Sequence, residues 1–251
     1  MFVDANILQP LIDVANSVLK FFHDNVGLSW GMSIVALTVC TRAILVPLTY
    51  KQIKGMRAMQ ALQPQIKELQ EKYKNDKQRM QQEMMRFYKE NKVNPFASCV
   101  PLVAQLPVFI TLFYTLRHEL PPDMGCEAGH CSAYGAEFLF IKDLTASAHG
   151  AELITLIVLY VATQLASGFF MSVTADKSQR MMMFVLPLIF VPFVINFPAG
   201  LMVYWITTNL WTIGQGITVN KLIPAPVVAT PEEKRAAKPP PKSPKKKKRR
   251  R

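Results

Sequence analysis

Residues 28–50 read LSWGMSIVALTVCTRAILVPLTY, and this stretch decides the fold class. It is long, apolar and carries a single charged residue, Arg42. About 20 predominantly apolar residues are needed to cross a hydrocarbon core about 30 Å thick. We therefore expect residues 28–50 to form a transmembrane helix with an arginine inside it.

Four further stretches have the same apolar character and contain no charged residue. They cover residues 96–116, 153–173, 181–197 and 199–220. The helix at 181–197 is short, since 17 residues reach only about 26 Å, which implies a locally thin bilayer or little tilt. Helices of a soluble protein would need a polar face, and these runs have none. The sequence predicts an all-α integral membrane protein with five transmembrane helices.

The charged residues lie in blocks between these spans. The chain carries 29 Lys+Arg and 17 Asp+Glu, which gives a net charge of +12. When alternate connecting segments are counted together, 25 of the basic residues lie on one side of the membrane and 3 on the other. Because cytoplasmic segments are enriched in Lys and Arg, the N-terminus is predicted outside and the C-terminus inside.

The first 27 residues combine apolar positions at helical spacing with several aspartates. This pattern predicts an external amphipathic helix over residues 1–27, and a short disordered leader is the alternative. The aspartates also argue against a cleavable signal peptide. The apolar positions are Leu11, Val14, Ala15, Val18, Phe21 and Phe22.

Residues 51–95 are predicted to form a charged cytoplasmic hairpin of two helices. Pro64 suits a first helical turn, and the chain breaks at Asn75-Asp76. Methionine adapts to varied partners, so an apolar stripe on the second helix is interpreted as a surface that captures substrate. The alternative is that the stripe only holds the two helices together. Its residues are Met80, Met84 and Phe87.

Arg42 is the central functional candidate. It lies nine residues before Lys51, or about 13 Å from the end of the span, and none of the five spans contains Asp or Glu to neutralise it. We therefore expect a hydrated groove open to the cytoplasm. The alternative is an arginine held near the interface by carbonyls and lipid phosphate. Uncharged polar residues available to line the groove are Thr38, Thr41, Gln105, Thr111, Gln164, Thr207, Thr208 and Asn209.

The C-terminal segment 221–251 holds 12 Lys+Arg and 2 Glu and is rich in proline. Such a segment cannot bury a core and is expected to be disordered. Its basic end is predicted to bind either an anionic lipid surface or the RNA phosphates of a ribosome, and no DNA. The residues are Lys245, Lys246, Lys247, Lys248, Arg249, Arg250 and Arg251.

The segment 117–152 is predicted to be an external loop, and it carries Cys126 and Cys131. Outside the cell these cysteines either form a small disulfide loop or stay free. His130 lies beside them, but two cysteines and one histidine at this spacing do not make a zinc pattern, so no metal is expected.

Motifs that would indicate catalysis are absent from the sequence. All four histidines lie outside the predicted spans, and no HExxH, GxSxG or phosphate-binding glycine loop occurs. We predict that the protein is not an enzyme and needs no cofactor.

Three stretches together resemble the YidC/Oxa membrane-protein insertase family, in its bacterial YidC branch. They read TRAILVPLTYKQIKGMRAMQALQPQIKELQEKY, DKQRMQQEMMRFYKENKVNPFASCVPLVAQLPVFITLFYTL and FPAGLMVYWITTNLWTIGQ. The resemblance covers roughly residues 28–222. It implies a five-helix core, a cytoplasmic hairpin, and a hydrophilic groove open to the cytoplasm and lipid but closed outside. The chain would differ from the long Gram-negative members by lacking a large periplasmic domain and an extra N-terminal span.

The resemblance also implies roles for single residues. Arg42 matches the groove arginine of the family, and Trp205 matches an aromatic position that faces incoming substrate. Gln105 and Pro107 match a QLP motif, and Gln164 corresponds to a polar groove residue of the third span.

The implied function is an insertase and chaperone that inserts, folds and helps assemble membrane proteins in the bacterial inner membrane, alone or with the Sec translocon. Its partners would be nascent membrane proteins, the ribosome and anionic lipids. Two other classes remain open: a small anion-selective channel or transporter that uses Arg42, and an interaction scaffold for folded membrane subunits.

Overall fold

A computed structural model describes residues 8–94, 100–172 and 177–222 of the chain. Over these residues the protein is helical, which confirms the predicted all-α class. The basic residues 245–251 lie outside the described part. The helices are α1 (Gln9–Lys20), α2 (Trp30–Ile44), α3 (Val46–Ala61), α4 (Gln63–Lys72), α5 (Lys77–Glu90), α6 (Val100–Tyr114), α7 (Leu120–Met124), α8 (Gly150–Ser172), α9 (Lys177–Val194) and α10 (Ala199–Leu222).

Helix α1 is amphipathic in an unusual way, because it has two apolar faces. Ile12, Ala15 and Leu19 are buried against the rest of the protein, while Leu11 and Val14 are exposed. A helix with one apolar face on protein and another free suits the boundary of a membrane. The predicted apolar stripe is therefore divided between protein contact and an exposed face.

The polar side of α1 is joined to α7. The Lys20 ammonium lies 2.6 Å from the Asp123 carboxylate, and the Asn16 amide donates to the same carboxylate at 2.9 Å. These contacts hold α1 across the end of α6, on which it also packs.

The first predicted span is not one continuous helix, which corrects the expectation for residues 28–50. The chain bends by 55° between α2 and α3, at Leu45. Pro47 explains the bend: it has no N–H to donate to the Ala43 carbonyl, and its ring crowds that carbonyl. Helix α3 then continues into the segment that was assigned to the hairpin.

Helices α4 and α5 form the hairpin itself, so residues 51–95 hold three helical segments where two were predicted. Pro64 lies in the first turn of α4. The Asp76 side chain caps α5 by accepting from the Arg79 N–H at 3.0 Å. On the outside of α5, the hydrogen bond from Arg86 to Glu90 at 2.9 Å raises the pKa of the Arg86 guanidinium.

Helix α10 is the centre of the bundle, since it packs along both α2 and α8, and α9 packs on α8. Helix α6 packs on α1 and contacts α3. We call the end of the bundle that carries α1 and residues 125–149 the loop end, and the end that carries α4 and α5 the hairpin end.

Length and hydropathy alone single out fewer spans than the five predicted. Within the described residues, only Gly150–Phe170 of α8 is long and apolar enough to cross a bilayer by itself. The bent pair α2 and α3 adds a second span if it is counted as one. Helix α10 is long, but Asn209 and Gln215 interrupt its apolar sequence. The described helices thus establish an all-helical fold, with one or two spans by this criterion.

Candidate functional site

The buried side chains of the bundle change from mainly apolar to mainly polar along its length. At the loop end, the apolar side chains of α2, α6, α8, α9 and α10 form one buried cluster that reaches Leu37 on α2 and Tyr204 on α10. One turn further toward the hairpin end, the buried residues of these helices are polar. They are Thr38, Ser167, Thr208 and Asn209. The loop end therefore holds the large apolar cluster, and the buried residues of the opposite half are mostly hydrogen-bonding groups.

Arg42 lies in this polar half. Its side chain is half-buried on α2, where α2 packs on α10, and its guanidinium is close enough to the Tyr204 side chain to interact electrostatically. Among the described residues, no carboxylate lies within ion-pair distance of Arg42. A buried cation without a counter-ion is costly unless water or polar groups surround it.

Several polar side-chain atoms of α10 and α6 are buried in the bundle. Tyr204, Thr208 and Trp211 follow one another at helical spacing on α10, and Thr111 stands on α6. Tyr204 is only 2% exposed. The Tyr204 hydroxyl lies within hydrogen-bonding reach of the Thr208 hydroxyl, and it also interacts with the Arg42 guanidinium. The Tyr204 and Thr208 hydroxyls thus form a polar face of α10 next to Arg42.

Trp205 is packed inside an aromatic cluster. Its ring stacks on Phe109 of α6 at 5.3 Å between centroids and also contacts Tyr160 of α8 at 5.8 Å. Phe190 of α9 meets it edge-on at 6.2 Å, and Phe197 lies 6.0 Å away. Trp205 remains half-buried, and Phe190 carries the exposed edge of the cluster. The aromatic rings thus bridge α6 to α9 and α10.

The other predicted groove residues lie around this centre in different ways. Thr38 is 1% exposed, and its hydroxyl donates to the Ile34 carbonyl at 2.7 Å, so it is buried between helices instead of facing open solvent. Gln105 is half-buried on α6. Gln164 is half-buried on α8, where the neighbouring Thr163 accepts from Asn209 of α10 at 3.3 Å.

The predicted capture residues Met80, Met84 and Phe87 are all half-buried on α5, which packs on α4. They belong to the hairpin and not to the Arg42 site. Their partial burial is compatible with both predicted roles, substrate capture and contact between the two helices. Among the described residues, no group of three or more His, Cys, Asp or Glu side chains could hold a metal ion.

Sequence reasoning did not single out Tyr204 and Trp211, whose polar atoms are buried on α10. Both are aromatic residues in an apolar run and look like lipid-facing or core side chains. Their spacing with Thr208, at i, i+4 and i+7, was the available signal, because it places three polar atoms on one face of a helix.

The loop end is closed by residues 125–149. Cys126 and Cys131 form a disulfide in the structure, with their Cα atoms 5.3 Å apart. The buried Asp143 carboxylate accepts from the Cys131 N–H at 2.7 Å and from the Thr145 N–H at 2.8 Å. It also accepts from the Thr145 hydroxyl at 2.6 Å.

The same loop is joined to the start of α10. The Ala199 N–H donates to the Ala146 carbonyl at 2.7 Å, and the Gly200 N–H donates to the Leu144 carbonyl at 2.9 Å. The loop thereby satisfies N–H groups that the first turn of a helix leaves free. It covers the bundle at the end opposite to Arg42.

Comparison with known proteins agrees with this architecture. The family model described as "60Kd inner membrane protein" matches residues 21–226. The chain belongs to the 60Kd inner membrane protein family. This membership confirms the resemblance to YidC/Oxa proteins drawn from the sequence, and it places the chain in the bacterial inner membrane.

Individual members of the 60Kd inner membrane protein family are similar over most of the chain. The protein "Membrane protein insertase YidC" of Streptomyces avermitilis is 37% identical in an alignment 236 residues long, which covers 82% of this chain and 55% of the relative. The protein of that name from Histophilus somni is 38% identical over 209 residues, 83% of this chain and 36% of the relative. The chain thus spans about half or less of the length of these curated relatives.

A solved structure shares the fold. The structure titled "Active YidC insertase crystal structure with the first transmembrane domain resolved" superposes with a TM-score of 0.65 at 26% identity. The match covers 84% of this chain and 45% of the other. The helical arrangement described here is therefore a YidC-like fold.

Proposed function

We propose that this chain is a membrane-protein insertase that moves segments of nascent membrane proteins into the bilayer without hydrolysing a nucleotide. The observation that carries the proposal is the half-buried Arg42, which has no described counter-ion and stands among buried polar atoms at the inner edge of a packed core. The names of the relatives, membrane protein insertase YidC, support the same function.

We propose five membrane spans, with the N-terminus outside and the C-terminus inside. The spans correspond to α2 with the beginning of α3, and to α6, α8, α9 and α10. The distribution of 25 basic residues on one side and 3 on the other supports this orientation. It places the loop end outside and the hairpin end in the cytoplasm.

In this topology the Arg42 site faces the cytoplasm and is closed toward the outside. A polar N-terminal segment of a substrate would enter from the hairpin end and exchange bulk water for the hydrated groups near Arg42. Burying an unsatisfied amide costs roughly 2–7 kcal/mol, and polar partners and water reduce that cost. An acidic segment gains the attraction of the guanidinium in addition.

The hydrophobic segment of the substrate would leave sideways between α6 and α9. Around Trp205, the rings of Phe109 on α6 and Phe190 on α9 both contact the indole, and α6 and α9 are not among the closely packed helix pairs of the described residues. Rings slide past apolar side chains without leaving polar groups unpaired. Transfer into lipid is then driven by about 25 cal/mol for each Å² of apolar surface removed from water.

The hairpin α4–α5 is proposed to meet substrates in the cytoplasm, and the basic residues 245–251 to hold the ribosome or anionic lipid nearby. Cooperation with a Sec translocon is a further part of the proposal. All of these partners rest on the resemblance to insertases and on charge, not on a contact in the structure.

The test replaces Arg42 with Ala or Lys and follows insertion of a single-span substrate in proteoliposomes. The substrate is used in two forms, with an acidic N-terminal tail and with the same tail made neutral by Asp→Asn changes. An attraction of about 1.4 kcal/mol corresponds to a tenfold effect. We expect R42A to slow the acidic substrate about tenfold and the neutral one much less, and R42K to restore most of the rate.

Equal insertion of both substrates by R42A and the unaltered protein would reject the charge-attraction step. Photo-crosslinking from position 205 to ribosome-bound nascent chains distinguishes an insertase from the two alternatives, a channel and a scaffold. A channel would give saturable anion flux and no crosslinks, and a scaffold would crosslink to folded subunits without inserting anything. The packed loop end argues against a channel, since a pore would have to pass through it.

A further inference from the structure

The loop end carries a tight turn whose corners are apolar. The Phe138 N–H donates to the Ile141 carbonyl at 2.9 Å, and the Ile141 N–H donates to the Phe138 carbonyl at 2.8 Å. Leu139 and Phe140 are left as the two corner residues. Corners of such turns favour Gly, Asn and Asp, and Leu139 even adopts a left-handed backbone with φ of 55°. Turn formation alone does not explain why a leucine occupies this backbone conformation.

The turn is held rigidly from behind and exposed in front. Ile141 is buried in the core, and the Phe138 ring lies against Gly31 so closely that no side chain would fit there. Leu139 is nevertheless 85% exposed, and Phe140 is 42% exposed. The two residues therefore form a fixed apolar projection, which we call the 139–140 tip.

The position of the tip indicates what covers it. Gly31 is the second residue of α2, the helix that begins the first proposed span, so the tip stands at the level where that span leaves the membrane. Glu137 and Lys142 flank the turn and are exposed. An apolar point between charged neighbours, at the end of a span, matches the boundary between lipid headgroups and acyl chains.

We propose that the 139–140 tip inserts into the lipid leaflet at the loop end and anchors the cover formed by residues 125–149 to the membrane surface. The partner is the lipid itself, in the region just below the headgroups. The inference rests on the proposed membrane topology, because the level of the tip is taken from the start of α2. It adds to the insertase proposal a lipid contact on the closed side of the protein.

The test uses the full chain in vesicles of phosphatidylethanolamine and phosphatidylglycerol, with no other protein present. A polarity-sensitive fluorophore is attached at L139C, in a C40S/C99S background that removes the two cysteines outside the disulfide, and without reductant, so that the disulfide of the loop stays intact. Y134C serves as the matched control, since Tyr134 lies in the same loop and is 55% exposed. F140C gives a second reporter of the tip, and V158C on α8 reports whether the bundle is embedded.

We expect the labels at 139 and 140 to be blue-shifted, quenched by lipids that carry a doxyl group near the headgroup, and protected from iodide supplied on both sides. The label at 134 should show the opposite pattern. If 139 and 140 are quenched by iodide like 134 while 158 is quenched by doxyl lipid, the lipid anchor is wrong and the topology stands. If 158 is also open to iodide, the proposed topology fails instead. Protection of 139 from both quenchers would reveal a protein cover and overturn the lipid contact.

Discussion

Asp143 offers a stringent test of how the loop end is closed. Its carboxylate is buried and accepts three hydrogen bonds, one from Cys131 and two from Thr145. Thr145 in turn accepts from the Gly129 N–H at 3.1 Å. One side chain thus joins the disulfide loop to the segment that contacts the start of α10.

The stability that the loop should lose when Asp143 is replaced follows from these contacts. A hydrogen bond to a charged group contributes about 1.5–3 kcal/mol. D143A removes three such bonds and leaves two buried N–H groups without acceptors, so we expect the loop to lose ~3–5 kcal/mol, allowing for the shared carboxylate. D143N keeps the oxygen that serves Thr145 but turns an amide N–H toward the Cys131 N–H, and should lose about half as much.

Hydrogen exchange of residues 125–149 in the detergent-solubilised protein measures this directly, because local opening controls the exchange rate. A loss of about 3 kcal/mol accelerates exchange roughly 100-fold. E137Q is the matched control, since Glu137 is an exposed acid in the same loop and its neutralisation should change nothing. Unchanged exchange in D143A, or D143N exchanging as slowly as the unaltered protein, would refute the reasoning.

Two further predictions concern other parts of the chain. G200A should lower the unfolding temperature, because a methyl group there meets the Leu144 carbonyl at 3.0 Å and the Leu116 side chain at 3.1 Å, an overpacking that costs about 1–3 kcal/mol. In the control G214A the methyl group meets nothing within 4 Å, so the unfolding temperature should stay the same or rise slightly. Equal unfolding temperatures of G200A and G214A would contradict the tight contact at Gly200. Deletion of residues 225–251 should reduce co-sedimentation with ribosomes at low salt, and the difference should vanish as salt rises. Unaltered co-sedimentation at low salt would leave lipid binding as the function of the tail.

The sequence allowed the family and the all-α class to be predicted, because these depend on composition and on short motifs. Arg42 stood out as a charge without an acid in any span. The bend at Pro47 could have been predicted from backbone chemistry. A prediction of spans from length and hydropathy misses it, because it does not consider the N–H that proline lacks.

Tertiary packing determines what could not be predicted. Arg42 and Tyr204 belong to different helices that are mostly apolar, and only the packing of α2 on α10 brings the two side chains together. Trp205 was expected to face substrate, but its environment depends on rings from three other helices and the turn before α10. The Asp143 network joins positions 2 and 12 residues away, which no local pattern indicates.

The bend between α2 and α3 has a mechanical consequence. Helix α3 is 16 residues long, or about 24 Å, and its near end lies four residues from Arg42. A stiff rod pivoting at one end converts a tilt of about 10° into a displacement of roughly 4 Å at its tip, by the length of the rod alone. A displacement of the far end of α3 is therefore reduced at the end near the guanidinium, and a small change of tilt beside the arginine is enlarged at the far end.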